Sequence, residues 1–222
     1  MNPSHPPAPV RHEAVRIGPL PLPGDLALPE SARGLVLFVH GSGSSRLSPR
    51  NRAVAGTLQQ HGLATLLFDL LSEDEAQDRR RVFDIPLLAE RVGWALAWVA
   101  GRPDLARLPR GLFGASTGSA AALRAAADPA RGIAAVVSRG GRPDLAMEQL
   151  PDVSAPTLLL VGGDDREVLA LNRLALERLG GPARLDVVPG ATHLFEEPGT
   201  LEAVARAAAQ WFVAHLPAEP AP

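Results

Sequence analysis

The chain of 222 residues contains no cysteine, no tyrosine and no lysine; its basic residues are all arginine. Without cysteine there are no disulfides, no thiolate metal sites and no cysteine nucleophile. Without lysine there is no Schiff base, no Ser–Lys dyad and no P-loop lysine. Covalent chemistry is thereby left to Ser, Thr, Asp, Glu or His. Charge of one sign is also missing, the formal net charge being -2, so no electrostatic case favours nucleic acid or an anionic membrane as partner. Long hydrophobic runs are missing too: stretches such as "LVLFV" at 35–39 fall far short of a membrane span. The opening "MNPSHPPAPV" has no basic region followed by an apolar stretch, so a cytoplasmic location without a signal peptide is the expectation.

What is present suits one medium-sized domain. Hydrophobic residues make up 46% of the chain, enough for a sizeable core. Residues 1–9 and 217–222 are Pro-rich and lack an apolar period, which predicts flexible tails around a single domain over 10–216. Within it, eight short apolar segments read as strands: "EAVRI", "LAL", "GLVLFVH", "LATLLFD", "GLFGA", "IAAVVS", "APTLLLVG" and "RLDVVP". From the third onward they are nearly continuous in apolar residues, as parallel strands covered on both faces are, whereas the first two look antiparallel and more exposed. Helices are predicted from Pro49 to about His61, from Asp84 as N-cap through the stripe Ile85, Leu88, Val92, Leu96 and Val99, after Ser116, from about Glu167 to Leu179, and from Thr200 to Leu216. A short helix is expected in "RPDLAMEQL", and the charged run "SEDEAQDRRR" at 72–81 reads as a solvated loop or lid. The alternation implies a mostly parallel α/β sheet with helices on both faces.

Candidate chemistry collects at the carboxyl ends of these strands. Gly114-Ala115-Ser116-Thr117-Gly118 fits G-x-S-x-G between a strand and an Ala-rich helix, where small flanking residues allow a tight turn that lifts the serine hydroxyl above the sheet. The N–H of Thr117 then heads a helix whose positive end favours a developing oxyanion. A serine nucleophile needs a base and an orienting acid. Of six histidines, His193 lies after the last strand and before the last helix, whereas His40 ends a core strand and is expected to hold its loop. "LLLVGGDDREV" supplies the acid; Asp165 is preferred on spacing, with Asp164 open as the alternative. "HGSGSS" at 40–45 brings small residues close to a ligand, so the N–H of Ser42 is the second expected oxyanion donor. Arg46, Arg50, Arg139 and Arg142 follow core strands and could hold an anionic group of a substrate, or else tie down loops, as Arg142 would with Asp144. No metal-ligand spacing appears.

With the order Ser, Asp, His and the loop after the first parallel strand, the sequence resembles the α/β-hydrolases, most closely their small dienelactone-hydrolase-like branch, over about residues 12–216. The resemblance implies Ser116 as nucleophile, Asp165 as acid, His193 as base, and Ser42 and Thr117 as oxyanion donors. Dienelactone hydrolases carry a cysteine nucleophile; here serine stands in its place. Only about 17 residues separate "IAAVVS" from "PTLLLV", so no cap domain is expected. The implied activity is hydrolysis of a carboxylic ester or lactone, a small-molecule partner, with no metal or organic cofactor required. The number of copies, a homodimer included, is left open. A competing reading, Gly41-x-Gly43 as half of a dinucleotide fingerprint with Asp69 ending the next strand, is disfavoured: Arg46 occupies the third glycine position, Asp69 comes later than the usual interval of about 20 residues, and the order Ser, Asp, His is left unexplained. A binding protein on a hydrolase scaffold stays open as the alternative.

Overall fold

A computed structural model describes residues 9–216; the Pro-rich ends at 1–8 and 217–222 lie outside the described residues. Eight strands form one sheet: β1 (Val10–Ile17), β2 (Leu22–Pro29), β3 (Leu35–Val39), β4 (Ala64–Phe68), β5 (Arg110–Ala115), β6 (Ile133–Arg139), β7 (Thr157–Gly162) and β8 (Ala183–Val188). Their spatial order is β1-β2-β4-β3-β5-β6-β7-β8. β1 and β2 are antiparallel to each other, β2 is antiparallel to β4, and every pairing from β4 to β8 is parallel.

The alternation of side chains along each parallel strand divides the core into two layers. Leu35, Leu37, Val39, Leu112 and Val136 face one layer, packed by α4 (Ile85–Ala100) and α5 (Thr117–Ala126). Val36, Phe38, Phe113, Val137 and Leu158 face the other, packed by α1 (Pro49–Gln60) and α7 (Thr200–His215). All five residues of the predicted α4 stripe are buried. Asp84 caps α4 by accepting the Leu87 N–H at 3.0 Å. β3, buried along its whole length, delivers its chain end to the loop at 40–48.

Three expectations are corrected. The run 72–81 is not a loop: it folds as α2 (Glu73–Gln77) and α3 (Arg79–Val82). Ser72 and Glu75 form a reciprocal capping box, and Glu75 turns inward to bond Arg91 at 3.0 Å and Arg81 at 2.7 Å. "RPDLAMEQL" makes no α-helix; Pro143–Ala146 and Leu150–Asp152 are separate 3-10 turns, all that stands between β6 and β7 besides loop. Finally, α6 (Arg166–Leu176) stops short of Leu179, closing on the Glu177 cap before the glycine pair is reached. Among the described residues no helix is long and apolar enough to cross a membrane.

Candidate active site

Ser116 sits between β5 and α5 with φ 51° and ψ -125°, a conformation costly for any residue with a Cβ. Three hydrogen bonds hold it there. Its N–H donates to Arg139 O at 3.1 Å, and its carbonyl accepts from Ser119 N–H at 3.0 Å and Arg142 N–H at 3.1 Å. Gly118 is required by close approach: a Cβ at that position would lie 2.2 Å from Val39 O and 2.4 Å from His40 O. The start of α5 can therefore press against the end of β3.

Asp165 occupies the N-cap position of α6, yet its side chain caps nothing. It reaches instead to His193, whose Nδ1 lies 2.6 Å from Oδ2. Asp164 is exposed and engages the neighbouring loop through its backbone N–H, which donates to Ala191 O at 3.0 Å. His193 stands between β8 and α7, and its Nε2 is 3.3 Å from Ser116 Oγ. A proton on Nδ1 facing the carboxylate leaves Nε2 as an acceptor for the hydroxyl proton. The loop carrying His193 is clamped: Glu197 accepts the Thr192 N–H at 3.1 Å and the Thr192 hydroxyl at 2.6 Å, and these bonds hold the Glu197 pKa below its ordinary value. Phe195, buried beneath that loop, is the second described non-glycine residue with positive φ, at 56°.

The oxyanion side is less simple. Thr117 heads α5 and has no preceding helical turn to receive its N–H. Ser42 N–H, however, donates to Thr117 Oγ1 at 2.8 Å, so this second candidate donor is engaged by a side chain that sequence reasoning passed over. His40 is structural: its Nδ1 is 3.0 Å from Gly41 O and its Nε2 accepts the Leu70 N–H at 3.1 Å. Burial pulls its pKa down from the ordinary value, favouring the neutral ring that these two bonds require.

The four arginines separate. Arg46 pairs with Asp69 at 2.7 Å and Arg142 with Asp144 at 2.8 Å, both holding loops in place. Arg50 meets Glu196 at 3.2 Å. Arg139 is buried and faces α1, where its Nη2 lies 3.4 Å from Asn51 Oδ1. Ser42, Arg46 and Arg50 line a cavity of about 1030 Å³ bounded by the 40–48 loop and α2. Ser116 and His193 lie outside its lining, and the His193 side chain is 37% exposed, so the Ser116–His193 pair faces an open surface next to the cavity. Among the described residues no three His, Asp or Glu side chains gather as a metal site.

Against solved structures, the chain matches a dienelactone hydrolase from Anabaena variabilis with 53% identity, covering 95% of this chain and 100% of that one at a TM-score of 0.89. It belongs to the dienelactone-hydrolase-like α/β-hydrolases. The fold recurs at 16% identity in Est1E from Butyrivibrio proteoclasticus, with a TM-score of 0.76 over 91% of this chain and 98% of that one. Among curated proteins, two Mycobacterium tuberculosis chains, from strains CDC 1551 / Oshkosh and H37Rv, are 59% identical over 210 residues, 94% of this chain. Both bear the name "Putative phosphoribosyl transferase", and the chain spans 47% of their length. No family model matches the chain. As expected from the short connection, no cap domain stands between β6 and β7, only the two 3-10 turns and loop.

Proposed function

We propose that this member of the family is a serine hydrolase that cleaves a carboxylic ester or lactone through an acyl-enzyme. The observation that carries the reading is the alignment of two side chains from other loops on a serine held in a strained turn: Ser116 at φ 51°, His193 Nε2 at 3.3 Å from its hydroxyl, and Asp165 at 2.6 Å from Nδ1. A side chain packed only for stability gains nothing from that strain, whereas a nucleophile gains fixed orientation.

In this reading His193 Nε2 takes the Ser116 proton as Oγ attacks the carbonyl carbon. Asp165 keeps the imidazole in the required tautomer and stabilises its charged form. The oxyanion is met by the N–H of Thr117 and by Ser42 N–H, which exchanges its Thr117 hydroxyl partner for the charged oxygen. The imidazolium protonates the leaving alkoxide; His193 then activates a water that attacks the acyl-enzyme and releases the acid. The step needs no group beyond water and these side chains. Phosphoribosyl transfer, the chemistry in the mycobacterial relatives' name, is not part of this reading, since the chain spans about half of those proteins and half of them lies outside the match.

The test is intact-mass spectrometry after exposure to a fluorophosphonate. One adduct on the wild type and none on Ser116→Ala is the expected result. Absence of an adduct on folded wild type would overturn the hydrolase reading in favour of a binding protein on the same scaffold.

A further inference from the structure

β8 ends the sheet on one side, and its outer edge meets no strand among the described residues. Its pairing with β7 fixes which backbone groups are left there. Thr157 N–H donates to Pro182 O at 2.9 Å and Gly163 N–H donates to Val188 O at 2.9 Å, so the even-numbered residues 182–188 turn their backbone groups toward β7. The alternate residues of a parallel ladder turn theirs away. Ala183, Leu185 and Val187 therefore present their N–H and C=O groups outward, and no other group bonds them among the described residues. Solitary edges are blunted by bulges, by prolines within the strand or by unbalanced charge. β8 has none of these: its register with β7 is unbroken, Pro182 and Pro189 bound it without interrupting it, and its two charges, Arg184 and Asp186, cancel.

The side chains of this edge are complementary to themselves. Arg184 and Asp186 share the face covered by α7, where the Arg184 guanidinium lies 5.2 Å from the Trp211 ring centroid and 2.8 Å from Asp186 Oδ2. Ala183, Leu185 and Val187 share the opposite face, on which α6 packs. Val187 is 42% exposed there, and Leu174 of α6 is 55% exposed. Two copies related by a two-fold axis pair such edges antiparallel, and residues set opposite one another must point to the same face. Near the middle of β8 that leaves three registers. Centring on Arg184 sets arginine against arginine, and centring on Asp186 sets aspartate against aspartate. Only centring on Leu185 sets each Arg184 opposite Asp186 of the second copy, with Ala183 opposite Val187 and Leu185 opposite itself. In that register the outward-facing residues are also the ones that meet, so each of their pairs exchanges two backbone hydrogen bonds. We propose that β8 is the contact between two copies of this chain, paired antiparallel about Leu185 into one continuous sheet. The carboxyl ends of the two sets of parallel strands then point in opposite directions, which leaves the Ser116 turn of each copy open. The contact does not depend on the hydrolase reading.

The test is sedimentation velocity across a concentration series. Wild type should dimerise reversibly, and more weakly as salt is raised, because part of the contact is ionic. Asp186→Arg sets arginine opposite arginine at both symmetry-related places and should weaken the dimer by about tenfold or more. The exchange Arg184→Asp with Asp186→Arg restores opposite charges across the axis and should recover most of that loss. Val187→Pro is the backbone test. A proline is tolerated on an edge where its missing N–H faced solvent, so the monomer should fold, but the pairing needs that N–H and the dimer should be lost. Melts at low concentration, where every form is a monomer, check the fold; should Val187→Pro not fold, Asp186→Arg and its exchange carry the test. A wild type that stays monomeric up to about 0.2 mM, weaker than any Kd such a contact needs to matter, overturns the proposal. So does a dimer that Asp186→Arg leaves unchanged, which would be held by another surface. A dimer weakened by Asp186→Arg and not recovered by the exchange overturns the Leu185 register.

Discussion

Replacing Thr117 by valine tests the oxyanion side of the site. The Thr117 side chain is 3% exposed and its Oγ1 receives the Ser42 N–H at 2.8 Å, so in the resting protein that donor is not free. If Ser42 N–H stabilises the oxyanion, each turnover must give up a neutral hydrogen bond, which contributes about 0.5–1.5 kcal/mol. Valine keeps the shape and removes the acceptor. The barrier should then fall by up to about 1 kcal/mol, a rise in kcat of up to about fivefold with KM unchanged. The folded state loses the same bond, which for a chain of this size lowers Tm by about 2–4 °C. The assay is steady-state hydrolysis of a neutral p-nitrophenyl ester beside a thermal melt, with Thr117→Ser as the control that keeps the hydroxyl. A fall in kcat of about 100-fold or more in Thr117→Val, restored in Thr117→Ser, would refute the reasoning. It would mean that the Thr117 hydroxyl, polarised by the Ser42 N–H behind it, is itself the donor.

Four other outcomes are expected. Asp165→Asn should lower kcat by several orders of magnitude while leaving the melt nearly unchanged, because the carboxylate acts on His193 and caps no helix; a loss below tenfold on a neutral ester would contradict that role. Gly118→Ala should destabilise the fold and abolish fluorophosphonate labelling together, since its Cβ would sit 2.2 Å from Val39 O; a stable, reactive variant would show that the β3–α5 approach can relax. Glu75→Gln should cost about 3 kcal/mol, lowering Tm by about 6–12 °C, because Arg91 is left buried without its carboxylate, and limited proteolysis should then begin within 72–84. His40 should make stability acid-sensitive. Burial lowers its folded pKa, so below about 6.5 the unfolded chain takes up a proton that the folded ring refuses, and stability falls by up to about 1.4 kcal/mol per pH unit. Denaturant midpoints at pH 7.5, 6.5 and 5.5 for wild type and His40→Gln isolate that contribution, and parallel curves would remove it.

What could be read from the sequence was whatever neighbours along the chain determine. The eight strands, the Asp84 cap and the switch from antiparallel to parallel pairing follow from runs and alternation within a few residues. The turn at Ser116 was legible because the glycines that make room for it lie two residues to either side. What depended on distant partners was not. The signal for α2 was present, since Ser72 and Glu75 stand at capping-box spacing, but a run of charge reads as solvated until Arg91 arrives from α4 to bury Glu75. The four arginines look alike in sequence; Arg46 is neutralised from 23 residues away and Arg50 from 146, while Arg139 is neutralised by no carboxylate among the described residues. The hydroxyl of Thr117 likewise gains meaning only when the 40–48 loop folds over it.

The strain at Ser116 ties these features together. A non-glycine residue in that region of backbone space costs about 1–3 kcal/mol, and it persists only where its surroundings over-determine it. Here the determinants come from both sides. Arg139 O and Arg142 N–H fix the turn from the end of β6, while Gly118 lets α5 lie against the end of β3. The segment that pins the Ser116 backbone is thus the one that carries Arg139, a buried guanidinium with no carboxylate partner among the described residues.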